Sequence, residues 1–578
     1  MLMQELIRRG AALGDLSPQG FQERAVRYFI AITDDGAFVT IQETRDETRK
    51  SSRGVDRLIP DMVRTSGIRP ILLVDKASYV LGYRAADDLP GREVKEHEAF
   101  RNLIAECAEV TGEPALRSVV RFLEHLPDAP IEVPSDFDPE ARITFRVLGN
   151  QPSEYPIDLA SVRRFWASRL QPKIDGQHFE CMFCGTVGPL AGVHPVTIKP
   201  IPGGQTSGNY VVSANAGAFV SYGLKGNETS PTCLGCAVTY GNTLNALLAN
   251  SQSSYRTKNM VFVFWTVAST TFNPARFLSD PEPSEVRELL QSPFSAEKAA
   301  SEIDSTSFFA AGLSASGSRV VVRDWIDTTV ENAKRRMIEY FHLQELVDPY
   351  GGPSVPLRLG RIANATVRDP KKEAAAPIVE LSLIRLAFTG SPLPMELLYL
   401  AVKRNRAEQD VNRERAVLIK MVLASQPGRK EDDAKTSELD ARSTEPAYLC
   451  GRLLAILDVI QTRALNSPNA TIIDKFYGTA SSAPASVFGT LIHGAQAHMG
   501  KLRKTAPGTH HALERQLEDV LDPLMPFPNT LTLQEQGLFA LGFYHQRAWN
   551  RRAAQLRKEQ READAAEAKD AESPPTEE

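Results

Sequence analysis

Long apolar runs are missing from this chain. A membrane helix needs about 18 apolar residues in succession. The most apolar stretch, Met260–Val267, is far shorter and reads as a buried strand. Met1–Arg9 lacks a basic segment followed by an apolar core, so no secretory signal is expected, and the expected compartment is the cytoplasm. Cysteine is scarce, with 6 in 578 residues, and a disulfide framework is not expected in a reducing compartment. Positive charge is not in excess either. A formal charge of −5 does not advertise a nucleic-acid binder, although net charge is blind to local patches. Hydrolytic signatures are lacking: there is no H-E-x-x-H, no G-x-S-x-G, no Walker loop and no paired-carboxylate motif. His510 and His511 are adjacent rather than four apart, so they do not share a helix face. No internal repeat is visible.

What is present is ordinary globular material, 42% hydrophobic and 24% charged. At about 100–200 residues per domain, the length predicts three to five domains. Alternation of Val26, Tyr28, Ile30 and Ile32, then Asp34-Asp35-Gly36, then Ala37–Gln42, predicts a hairpin. Helical spacing runs from Glu93 to Leu126, a strand is expected over Ile143–Leu148, and a helix over Leu159–Leu170. Strands are expected at Val261–Val267 and Ser318–Trp325, separated by a polar interval, and a helix at Thr329–Phe341. Beyond about residue 375 the pattern is helical. The fold class expected is α+β and multidomain. It comprises an N-terminal α+β domain over 1–175, a cysteine-bearing strand and loop segment over 176–250, and a central domain over 251–427. A linker follows over 428–447, then a C-terminal helical bundle over 448–556 and a disordered acidic tail over 557–578.

Four of the cysteines form two pairs, Cys181-x-x-Cys184 and Cys233-x-x-Cys236. A C-x-x-C knuckle points both thiolates inward from one turn, and two knuckles complete a closed tetrahedral shell for Zn²⁺. Four cysteine ligands leave no position for water, so the zinc would be structural. The gap of 48 residues between the pairs exceeds the usual ribbon spacing. His194 lies between the pairs and could replace one ligand; the plainer reading is a structural histidine. Cys107 and Cys450 read as buried small hydrophobes.

Between the pairs lies Lys199-Pro-Ile-Pro-Gly-Gly-Gln205-Thr206-Ser207-Gly-Asn209. Two glycines followed by hydrogen-bonding side chains suit close approach to a phosphate backbone. An ordinary glycine turn is the plainer alternative. Ser213-Ala-Asn215 and Ser221-Tyr-Gly-Leu-Lys225 add polar groups, and Arg64, Lys76 and Tyr79 cluster around turns further upstream.

Several stretches, in order, carry a family likeness. They are Ile59–Pro70 with Leu73–Gly82, His194–Lys199 with Gly204–Gly208, Val212–Asn215 with Ala218–Gly223, Asn242–Leu248, Ser318–Trp325, Gly451–Leu457, Asn469–Thr471 and Gln536–Gln546. On these the chain resembles the large subunit of the type I-C CRISPR interference (Cascade) complex. The resemblance implies a non-catalytic subunit that recognises the protospacer-adjacent motif in double-stranded DNA and aids duplex opening and R-loop formation. Base pairing by crRNA supplies sequence specificity. Implied partners are the guide RNA-bound backbone subunits, crRNA, target double-stranded DNA, small subunit copies and a separate helicase–nuclease, with no membrane. The C-terminal part is similar to the small subunit, which an internal start could supply; Met421 is the nearest methionine upstream of the linker. Candidate DNA contacts are Arg64, Lys76, Tyr79, Lys199, Gln205, Thr206, Ser207, Asn215 and Lys225. The zinc expectation rests on the cysteines and not on the resemblance. Two alternatives stand beside this reading: a guide-RNA-processing endoribonuclease, and a structural zinc scaffold without nucleic-acid contact.

Overall fold

The computed structural model describes residues 2–12, 20–44, 54–62, 67–83, 91–127, 131–149, 153–170, 178–267, 270–291, 306–428, 437–466 and 468–572, with side chains to residue 564. The chain divides into two compact units, Met1–Ala246 with Ala315–Val321, and Leu247–Ser314 with Val322–Glu578. Helices and strands mix up to Thr329 and helices follow from there among the described residues, which fits the α+β expectation.

The first unit opens with helix α1 (Leu2–Ala12), then strands β1 (Phe21–Val26), β2 (Tyr28–Thr33), β3 (Phe38–Glu43) and β4 (Val55–Pro60). Short helix α2 (Ala77–Val80), long helices α3 (Arg92–Thr111) and α4 (Pro114–His125), strand β5 (Ile143–Leu148) and helix α5 (Ala160–Arg169) follow. The expected hairpin is β2–β3, closed by Gly36 N–H on Thr33 O at 3.0 Å. Gly36 has φ +91°, which explains the glycine at that turn. β5 pairs in parallel with β2, from Tyr28↔Ile143 to Thr33↔Leu148, so the sheet order is β3-β2-β5. The helical spacing after Glu93 resolves into two helices, because Gly112 caps α3 in the left-handed conformation and Pro114 opens α4. Phe100, Leu103, Ile104, Val119 and Phe122 bury against Ile30, Ile32, Phe145 and Val147 in one core. Full burial of each such side chain stabilises by roughly 1.5–3 kcal/mol. β1 and β4 form a separate antiparallel ribbon, from Phe21↔Pro60 to Val26↔Val55.

Short strands β6 (Phe179–Glu180) and β7 (Val187–Gly188) form the first cysteine hairpin, and helix α6 (Leu234–Ala249) carries the second pair. Between them the chain runs as turns, two 3₁₀ turns and isolated bridges rather than as regular strands.

The second unit holds β8 (Ser254–Arg256), β9 (Val261–Thr266), α7 (Pro274–Ser279), α8 (Pro283–Gln291), β10 (Ser307–Ser316) and β11 (Arg319–Thr329), except that the β10–β11 turn, Ala315–Val321, belongs to the first unit; the sheet order is β11-β10-β9-β8. β10 stands where a polar interval is expected. Its Phe308-Phe309-Ala310-Ala311 run is buried and pairs with β9 from Phe308↔Thr266 to Leu313↔Val261. Helices α9 (Val330–Gln344), α10 (Leu359–Asn364), α11 (Pro377–Thr389), α12 (Met395–Glu408), α13 (Arg413–Ser425), α14 (Pro446–Leu465), α15 (Ile472–Ala480), α16 (Phe488–Thr505), α17 (Pro507–Leu521) and α18 (Leu533–Glu572) complete the unit. One core runs from Tyr255 to Tyr544, so residues 251–427 and the C-terminal helices share it. Met421 is fully buried in α13.

α18 packs along α14, α13 and α12. Its crossing with α14 is made by glycine. A Cβ on Gly451 would lie 2.0 Å from Phe539 O, and one on Gly542 would lie 2.1 Å from Tyr448 O. The same crossing carries a buried polar seam, with Tyr448 Oη 2.9 Å from His545 Nδ1 and Arg452 Nε donating to Gln546 Oε1 at 3.1 Å. α18 also corrects the disordered tail expected over 557–578, since the helix continues to Glu572. Alanine, arginine and glutamate favour helix there, and Gln555–Glu559 and Lys558–Glu562 pair at i,i+4. Residues 573–578, and residues 429–436 of the expected linker, lie outside the described residues.

Candidate functional site

The four paired cysteines converge. Cys181 and Cys184 sit on the turn between β6 and β7, where Cys181 N–H donates to Thr186 O at 3.0 Å and Gly185 N–H to Cys181 O at 2.9 Å. Gly185, at φ +71°, lets the knuckle close. Cys233 directly precedes α6 and Cys236 lies in its first turn, because α6 starts at Leu234. All four Sγ atoms lie within 4.8 Å of one another, and Cys184 Sγ is 3.7 Å from Cys233 Sγ. Four sulfurs bound tetrahedrally to zinc at about 2.3 Å are about 3.8 Å apart, so this donor set fits the metal. None of the four is in a disulfide. Cys233 and Cys236 N–H groups point at Cys181 and Cys233 sulfurs at 3.4 Å each, the backbone pattern that stabilises thiolates.

Proton affinities follow from placement. The Thr186 hydroxyl, then its backbone amide, draw Cys184 down to about 6. Burial pushes Cys233 and Cys236 up, and the neighbouring sulfurs push Cys236 further. Without a cation, the Cys184 corner deprotonates readily, while Cys233 and Cys236 resist. His194 stands outside the sulfur group. It is buried, its Nδ1 is hydrogen-bonded with Tyr240 Oη, and burial lowers its imidazole to about 4, so the plainer reading holds.

The glycine-bearing loop is built from behind. Ile198 and Asn209 form an isolated bridge that closes it. Asn209 is fully buried; its Oδ1 accepts from Gln205 N at 3.1 Å and its Nδ2 donates to Gly317 O at 2.8 Å. Gly204 leaves room for that amide, since a Cβ there would lie 2.2 Å from Asn209 Oδ1. Gly208, at φ +102°, passes against Thr197, whose hydroxyl donates to Ser207 O at 3.1 Å. The result is a braced tip with Gln205, Thr206 and Ser207 exposed to solvent. Gln205 and Ser207 also line a cleft of about 300 Å³ with Gln22, Arg24, Asp61 and Tyr210. Lys199 lies close enough to Arg24, Asp61 and Arg142 to feel their charges. Burial, then the two arginines, lower its ammonium, and Asp61 opposes them.

A family model described as CRISPR-associated protein (Cas_Csd1) matches residues 3–550. The chain belongs to this family. No curated protein matches it. A Cas_Csd1 protein is a CRISPR-associated, Cascade-type component, and the family implies a complex with other Cas proteins and crRNA.

In this Cas_Csd1 chain the remaining expected contacts fall into distinct places. Lys76 caps α2 and pairs with Glu140 at 3.1 Å, half-buried. Tyr79 is buried at 2% exposure and its hydroxyl accepts from Arg69 N at 3.3 Å, so the ring packs the core instead of facing a ligand. Asn215 Oδ1 accepts from Arg319 at 2.7 Å, which ties the segment after the loop to the β10–β11 turn. Lys225 is exposed at the start of a 3₁₀ turn. Arg64 lies outside the described residues. Sequence reasoning missed Arg24 and Arg142 as neighbours of Lys199, and named Tyr222 only as part of the Ser221–Lys225 segment. Tyr222 is fully exposed at φ +51°, in a turn closed by the Ser221–Leu224 bridge. Aromatic-glycine at a predicted turn is the signal that points to it. Among the described residues, no helix is long and apolar enough to cross a membrane.

Proposed function

We propose that this protein is the non-catalytic large subunit of a type I-C CRISPR RNA-guided surveillance complex. It recognises the protospacer-adjacent motif in double-stranded DNA, aids duplex opening, and recruits a separate helicase–nuclease. The observation that carries this reading is the braced tip. Gln205, Thr206 and Ser207 face solvent while Asn209 holds their backbone from within. A preorganised loop loses little conformational freedom on binding. Glutamine suits bidentate pairing with an adenine edge, hydroxyls suit phosphate oxygens, and Lys199, beside the Arg24–Asp61 ion pair at 2.8 Å, supplies a positive charge at the loop in a chain of net charge −5. Tyr222 offers a ring that can wedge between base pairs as the duplex opens.

The Cys181, Cys184, Cys233 and Cys236 cluster holds one structural Zn²⁺ in this reading. The ion would staple the β6–β7 turn to the start of α6 and so set the two ends of the intervening loops. It would bring no open coordination position to a substrate. The partners are the guide RNA-bound backbone subunits, crRNA and small subunit copies.

The test is capture of motif-bearing duplex by the assembled complex. Gln205→Ala should relax discrimination of the motif, whereas Lys199→Ala should weaken capture uniformly and flatten the salt dependence by about one phosphate equivalent. Purified protein should leave guide-precursor RNA intact; clean cleavage would establish the endoribonuclease alternative. Loss of neither capture nor discrimination in both variants would leave only the scaffold role.

A further inference from the structure

A second group of metal-type donors stands on α17, remote in sequence from the four cysteines. His510 and His511 are consecutive, and Glu514 follows at i+4 and i+3. One carboxylate can therefore reach both rings although the rings leave the helix in different directions. Both Nδ1 atoms face the same oxygen: Glu514 Oε2 lies 3.6 Å from His510 Nδ1 and 3.5 Å from His511 Nδ1. All three donor atoms lie within 4.8 Å of one another. These separations are too long for good hydrogen bonds. They do suit ligands of a shared cation, because donors about 2.1 Å from a tetrahedral centre are about 3.4 Å apart.

An independent observation points the same way. His510 is buried at 8% exposure, and its Nδ1 is a buried atom with no hydrogen-bond partner among the described residues. A buried imidazole nitrogen left unpaired is unfavourable unless something coordinates it. His510 and Glu514 also line a cleft of about 620 Å³ with Leu457, Ile492, Met499 and Leu517. That opening leaves the remaining coordination positions accessible.

We propose that His510, His511 and Glu514 bind a divalent transition-metal ion of the Zn²⁺ class, with at least one coordination position open. Two imidazoles and a carboxylate are the donors such ions prefer over Mg²⁺ or Ca²⁺. This site differs from the cysteine cluster in being open and in using nitrogen and oxygen donors.

Zn²⁺ itself serves as the probe. The metal-stripped full chain is reloaded with Zn²⁺ and its bound zinc counted, in parallel with His511→Ala and Glu514→Gln. Both altered side chains are exposed, so the fold should be kept, and circular dichroism verifies it. The expected result is that each variant binds one equivalent fewer than the wild-type chain. Loading with Co²⁺ should add a visible band without sulfur charge-transfer intensity, and His511→Ala should abolish that band alone. Equal zinc content in all three proteins would overturn the proposal, as would a cobalt spectrum unchanged by His511→Ala.

Discussion

Asn209→Ala probes the brace behind the exposed tip. The substitution leaves the Gln205 amide and the Gly317 carbonyl without the partners they have at 3.1 and 2.8 Å. A stranded polar group loses about 1–3 kcal/mol, the lower figure where water can reach it. Gln205 is exposed, so about 1 kcal/mol is assigned there and about 2 kcal/mol to the Gly317 side, or about 3 kcal/mol together. For a unit of this size that is a melting shift of about 6–12 °C, at about 2–4 °C per kcal/mol. Calorimetry reads the shift in the transition of the first unit. Capture of motif-bearing duplex should fall as well, because ordering a freed tip costs about 1–2 kcal/mol per residue, and 1.4 kcal/mol is ten-fold. Asn209→Asp separates the two effects. It keeps the acceptor for Gln205 and loses the donor to Gly317, so it should melt lower yet retain most of the capture. An alanine variant that melts with wild type and captures duplex equally would refute the brace.

Changing Cys181 and Cys184 together to serine should release one zinc equivalent and lower the melting temperature, because metal binding energy is folding energy; unchanged zinc content would count against the cluster. Gly542→Ala places a methyl 2.1 Å from Tyr448 O and should destabilise the second unit by at least about 1–3 kcal/mol in denaturant unfolding. Burial holds the His545 imidazole down at about 3, below its unfolded value. Its contribution is therefore complete above about pH 6.5 and is lost as pH falls from there toward 3, and His545→Gln should flatten the acid limb of the stability curve. A chain cut before Pro446 should lose the whole second unit, because α14 to α18 share one core with residues from Tyr255 onward; an intact transition for that unit after truncation would contradict the shared core.

Legibility in the sequence tracked how local each determinant is. Hairpin β2–β3, strand β5 and helices α5 and α9 follow from alternation, glycine and helical spacing, and lie within a few residues of expectation. The cysteine group was legible because C-x-x-C fixes its own geometry, and only the long gap argued against it. Nonlocal determinants were not legible. The β1–β4 ribbon joins Phe21 to Pro60, and nothing in either segment names its partner. Tyr79 carries a ring and a hydroxyl suited to a ligand, and tertiary packing assigned both to the core. Asn209 ends the loop motif as an unremarked residue, yet it is the side chain that shapes the tip. The acidic tail looked unfoldable by charge, whereas its helix-forming residues simply extend α18. The glycines at the α14–α18 crossing sit inside two of the stretches that carried the family likeness, which gives those stretches a packing reason to be as they are.

The most direct measurement places a photo-crosslinking residue at position 205 in the assembled complex and maps its adducts on motif-bearing duplex. The account predicts crosslinks confined to the base pairs flanking the RNA-matched segment, and their loss when the flanking motif is changed. Adducts absent from that flank, together with full target discrimination by an assembly lacking this chain, would contradict it.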